Sequence, residues 1–155
     1  MGNYHDRKAI IITVLIIFSL CFLNTAANAG TVWMTISNAQ TIPASGGTFE
    51  TPLQFTTWEA VLGAYEITLS YDPSLLQVLQ ITTPAQSEFS GNTYFDSGSF
   101  SSGSTSITGF QNTYQVGHTT PATFATVKWK AIETPGKATT IGINAAKIMD
   151  FYFLI

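Results

Sequence analysis

The chain has 155 residues, 45% of them apolar and 10% charged, and a formal net charge of −3. Its single cysteine, Cys21, excludes a disulfide framework or a cysteine-based zinc site. The few basic residues form no patch that would recruit nucleic acid.

At the N-terminus, Arg7 and Lys8 precede an almost unbroken apolar run, Ala9 to Leu23, and then "NTAANAG" with Ala27-Asn28-Ala29 as a small-x-small site. This is the layout of a secretory signal peptide over residues 1–29, with an apolar core too short to favour a retained span. An uncleaved anchor is the alternative. N-myristoylation would need Ser or Thr where Asp6 stands, and Cys21 follows Leu20 rather than the small residue expected before a lipidated cysteine. The mature chain is expected to start at Gly30 and to form one domain over residues 30–155, with no membrane span after cleavage. Losing Arg7, Lys8 and Asp6 with the leader leaves four lysines and no arginine against eight acids. An exported domain without cysteine must rest on its core, and the sparse charge and abundant Ser and Thr fit a secreted or cell-surface protein.

Short alternating runs punctuated by Gly, Pro, Asn and Ser then predict an all-β sandwich. "TVWMTIS" (Thr31–Ser37) is a first strand, with Trp33 expected in the core. "TFETPLQF" (Thr48–Phe55) is a second, in which Pro52 predicts a bulge or an unpaired donor. Trp58, in "TTWEAVLG", is expected between strands. In "GAYEITLSYDPSLLQV" (Gly63–Val78), Tyr65, Ile67, Leu69 and Tyr71 share one face, and Ala64, Glu66, Thr68 and Ser70 the other. Asp72-Pro73-Ser74 ends that strand in a tight turn, because proline cannot donate to a ladder and the aspartate can accept a backbone N–H two residues on. Leu76 and Val78 restart a strand. Residues 82–105 are rich in Ser, Gly and Thr, but Phe89, Tyr94, Phe95 and Phe100 give them anchors, with a short strand at Asn92–Asp96. "TSITGF" follows. "PATFATVKWKAI" (Pro121–Ile132) places Ala125, Val127 and Trp129 on one face and Thr126, Lys128 and Lys130 on the other. "ATTIGINAAKIMD" is the last clear strand.

Catalytic chemistry finds little support. His118 is the one histidine of the mature chain, no nucleophile elbow precedes a helix, and no second carboxylate pairs with Glu66 in sequence. Asp72, Glu88 and Asp96 are too scattered for a calcium loop. The chain is expected to be non-enzymatic, with no metal and no cofactor. Aromatic residues offer another chemistry, since exposed indoles stack on sugar rings. Trp58 is the candidate for that role, against the alternative of a loop residue folded over the sandwich edge.

On these residues the chain resembles the cohesin domain family. The resemblance lies in "GAYEITLSYDPSLLQVLQI", where cohesins also carry an alternating strand, Tyr-Asp-Pro and Leu-x-Val. It extends to "TIPASGGTFETPLQF" and "FATVKWKAIETPGKATTIGI". It implies a jelly-roll sandwich of about eight to nine strands, and a sheet of the third, fifth, sixth and eighth strands that receives a dockerin, a calcium-loaded helical module of another protein. By position, the partner-binding residues would be Ala64, Glu66, Thr68, Ser106 and Thr108, beside the loop "SGSFSSGS". Cohesins continue into a ninth strand beside the first, so "FYFLI" at residues 151–155 is expected to be at most a stub of it. Three functions remain open: recognition of a dockerin-type protein, attachment to a polysaccharide through Trp58, and a structural role at the cell surface.

Overall fold

The structure is a computed structural model that describes residues 31–36, 45–58, 60–111, 117–132 and 139–150. The expected signal peptide and the closing residues 151–155 lie outside the described residues. Eight strands are described: β1 (Thr31–Ile36), β2 (Thr48–Trp58), β3 (Leu62–Ser70), β4 (Leu76–Thr82), β5 (Thr93–Phe95), β6 (Ser104–Phe110), β7 (Ala122–Ala131) and β8 (Gly142–Asp150). They form two antiparallel four-stranded sheets, one in the order β1-β2-β7-β4 and the other β5-β6-β3-β8. No helix among the described residues is long and apolar enough to cross a membrane.

The core lies between the sheets and is built from period-two rows. Tyr65, Ile67 and Leu69 of β3 and Ile107 of β6 are buried against Leu53 and Phe55 of β2, Phe124, Val127 and Trp129 of β7, and Leu76 and Val78 of β4. Phe89, in the connection between β4 and β5, turns inward and is fully buried. Its ring meets Tyr65 edge-on at 5.0 Å, and Tyr65 meets Phe124 at 4.7 Å, both spacings at which ring quadrupoles attract. The other end of the core centres on Trp129, packed edge-to-face with Tyr71 at 5.1 Å.

The Asp-Pro corner forms as its residue types require. Asp72 Oδ1 accepts from the Ser74 amide at 2.9 Å and the Ser74 hydroxyl at 2.7 Å, while the Asp72 carbonyl accepts from the amides of Leu75 and Leu76. The Tyr71 hydroxyl donates to the Phe100 carbonyl at 2.7 Å and the Gly103 carbonyl accepts from the Tyr71 amide, so the corner also holds the β5–β6 loop. That loop turns at Gly103 with φ of 85°, and a β-carbon there would stand 3.0 Å from the Tyr71 carbonyl oxygen.

Three expectations change. Trp33 is outside the core: Val32, Met34 and Ile36 take the inward row of β1, which turns Trp33, partly buried, to the outer face. Trp58 does not lie between strands; it is the last residue of β2, paired with Thr31 and 60% exposed. The irregularity expected at Pro52 falls one step later, at Leu53/Gln54, where Phe124 and Ala125 on β7 are both buried in succession.

Gly109 lies under the Tyr65 ring, and a β-carbon at that position would stand 2.4 Å from the ring carbons. Gly109→Ala is therefore expected to destabilise by about 1–3 kcal/mol through overpacking. Leu69→Ala, which opens a cavity in the core, is expected to cost about 2–5 kcal/mol. Urea midpoints check both, and an unchanged midpoint for Leu69→Ala would mean that β3 faces the other way.

Burial pushes the Tyr65 phenol from 10.0 up to about 12, against a smaller opposing effect of the Thr93 side chain. Below pH 10 both folded and unfolded chains keep the proton. Above it the unfolded chain loses the proton first, so stability falls as pH rises from 10 towards about 12. Urea midpoints recorded below and within that window should decline; a flat profile would contradict the burial of this hydroxyl.

Candidate functional site

The outer face of the β5-β6-β3-β8 sheet takes its layout from β3, which lies between β6 and β8. Because Tyr65, Ile67 and Leu69 face inward, Ala64, Glu66, Thr68 and Ser70 face outward. Glu66 occupies the middle of that row. It is opposite Thr108 on β6 and Lys147 on β8, and the Lys147 ammonium stands 3.4 Å from Glu66 Oε2. Both side chains are solvated, so the pair is worth at most about 1 kcal/mol to the fold. Its main effect is to orient the carboxylate and leave the centre of the face electrically balanced.

To one side of Glu66 the face is polar. Thr68 is opposite Ser106 and Asn144, its hydroxyl 3.4 Å from that of Ser106, and Ser70 is opposite Ser104 and Gly142. To the other side it is apolar. Ala64 is flanked by Phe110 and Met149, which are 40% and 39% exposed. Tyr94 of β5 is opposite Thr108, 56% exposed, and stacks on Phe110 with ring centroids 6.0 Å apart and planes 14° from parallel.

The structure thus brings Ala64, Glu66, Thr68, Ser106 and Thr108 together on one face, as expected. Trp58 is not with them; it lies on the other sheet. Four further residues that form the centre and apolar ledge of the face escaped the sequence reading. Phe110 could have been found, since it continues the outward row of Ser106 and Thr108. Lys147 and Met149 could not, because β8 pairs with β3 through irregularities at Leu62/Ala64 and Glu66/Ile67 that reset which of its residues face out. Tyr94 was read as a loop anchor, and a three-residue strand carries too little pattern to orient it.

The groups considered for catalysis and metal binding are engaged separately. His118 Nε2 lies 2.9 Å from Glu88 Oε1, and its backbone exchanges hydrogen bonds with Thr57, tying the approach to β7 to β2 and to the turn before β5. Asp96 Oδ1 accepts from the Gly98 amide at 2.8 Å and starts the short 3-10 turn Ser97–Ser99, while Asp72 serves the corner.

A cohesin domain family model matches residues 32–150, well over half of the chain. The chain belongs to the cohesin family. No curated relative matches it in sequence. Among solved structures it is similar to the sixth cohesin of scaffoldin B from Acetivibrio cellulolyticus, determined in complex with a Cel5 dockerin. The identity is 15% and the TM-score 0.59, covering 77% of this chain and 86% of that one. It is also similar to CaCohA2 from Clostridium acetobutylicum, at 15% identity and a TM-score of 0.56, covering 77% of this chain and 78% of that one. The OlpA cohesin from Clostridium thermocellum, solved with the Doc918 dockerin, is 13% identical with a TM-score of 0.56, covering 79% of this chain and 88% of that one. At such identities the likeness to these cohesins is one of fold.

Proposed function

We propose that this cohesin is an exported, non-catalytic module that recognises a dockerin-type protein through the outer face of its β5-β6-β3-β8 sheet. The observation that carries the reading is the grading of that face around Glu66. An oriented carboxylate and a row of small hydroxyl side chains stand on one side, and a ledge of Tyr94, Phe110 and Met149 on the other. A helix laid across it would bury an apolar strip on the ledge and meet hydrogen-bonding groups along the rest. Small residues at Ala64, Thr68, Ser106 and Thr108 leave room for close approach. The cohesins solved with dockerins, cited above, supply the class of partner.

Export rests on the N-terminal pattern of residues 1–29, and a non-catalytic role on the family and on the separate engagement of His118, Asp72 and Asp96. Glu66→Lys should set two ammonium groups side by side with Lys147 and reverse the charge at the centre of the face, leaving the inward row untouched. Mispairing a buried interfacial charge costs on the order of 2–5 kcal/mol, so affinity for a dockerin module should fall at least about thirtyfold. Phe110→Ala, which removes half of the aromatic ledge, should cost about 2 kcal/mol if the ledge is a hot spot. Calorimetric titration with purified dockerin modules from the same genome checks both. Full affinity in both folded variants would contradict this assignment of the face.

A further inference from the structure

The second sheet presents an outer face of its own, and the two displaced tryptophans lie on it. Trp33 of β1 is opposite Thr56 of β2, and Trp58 is two residues beyond Thr56 on the same strand and the same face. They are therefore diagonal neighbours across an antiparallel pair, with α-carbons about 7–8 Å apart. Around them on that face stand Thr35, Gln54, Thr56 and Thr123, and the Gln54 amide donates to the Thr123 hydroxyl at 3.4 Å. Neither indole is needed to close the core, which Val32, Met34, Leu53 and Phe55 fill from the inward rows of the same two strands.

The chemistry of this patch is specific in what it lacks. Among the described residues, the nearest charges that the β1–β2–β7 register puts on this face are Glu50, Lys128 and Lys130, at the far end of β2. Glu50 is eight residues from Trp58, about 27 Å along a strand, and four from Gln54, about 13 Å; Glu59 lies outside the described residues. Among the described residues, a polyanion or a charged peptide would find no counter-charge beside the two indoles. For a protein partner the two indoles make only a small apolar patch, ringed by hydroxyl and amide groups. Pyranose rings match the pattern: their C–H faces lie flat on aromatic rings and their equatorial hydroxyls exchange hydrogen bonds with side chains such as Thr and Gln.

We infer that Trp33 and Trp58, with Gln54, Thr56 and Thr123, form a platform for an uncharged, extended polysaccharide, on the sheet opposite the protein-recognition face. An open sheet face with two rings lets successive sugars of one chain lie over both. The site shares no residue with the face around Glu66, so a single molecule holds glycan and protein at once.

The test is depletion of the purified chain from solution by microcrystalline cellulose and by chitin powder, in low and high salt. Wild type should be retained on at least one of these polymers, and salt should not release it, because no ion pair is involved. Trp58→Ala, at a position 60% exposed, should lower the retained affinity at least about tenfold with an unchanged urea midpoint. Trp33→Ala should do the same where it folds, and Trp58→Ala decides the matter where it does not. Glu66→Lys should be retained like wild type. Failure of both polymers to retain wild type would overturn the inference, as would salt-labile retention or full retention of Trp58→Ala. None of these results bears on dockerin binding.

Discussion

The alternation of β3 is the constraint on which the rest depends. A strand cannot turn one residue inward without turning the next outward, so burying Tyr65, Ile67 and Leu69 fixes Ala64, Glu66 and Thr68 as the middle row of the outer face. β3 is also the strand to which both β6 and β8 pair, so their outward rows are set by it. A slip of one residue would bury Glu66 and expose Leu69, removing core and outer face together. That coupling is why so soft a surface, made of Ser, Thr and Ala, can be held in a defined arrangement.

The loops are anchored to the same core by polar contacts rather than by length of strand. Asp72 holds the corner at the end of β3, Tyr71 binds the β5–β6 loop to it, and His118 with Glu88 binds the approach to β7 to the turn that carries Phe89. Phe89 in turn is locked between Tyr65 and Phe55, so the short β5 that bears Tyr94 begins from a fixed point. Tyr94 can therefore stack on Phe110 although its strand is only three residues long.

Much of this was legible in the sequence because alternation is a local property. The inward row of β3, the opposite faces of β7 and the Asp-Pro corner all follow from residues a few positions apart. The chemistry that could not be read is that of pairing. Lys147 meets Glu66 only because β8 carries an irregularity in its register with β3, and nothing within "INAAKIMD" announces it. Trp33 misled for a related reason: in "TVWMTI" either face could be the apolar one, and three aliphatic side chains outweighed one indole in the core. For Trp58 an exposed ring and a ring folded over the sandwich edge were both open from the sequence, and its diagonal relation to Trp33 exists only once β1 and β2 are in register.

The central claim, that one strand separates the core from the proposed recognition face residue by residue, is open to a direct measurement. Cys21 is the only native cysteine, so in a Cys21→Ser background single cysteines can be placed in turn at positions 64 to 69 and their reaction with a thiol reagent timed. The account predicts fast labelling at Ala64, Glu66 and Thr68, slow labelling at Tyr65, Ile67 and Leu69 until the chain is unfolded, and protection of the three fast positions when a dockerin module is bound. Labelling without a two-residue period, or fast positions that stay fast in the complex, would contradict it.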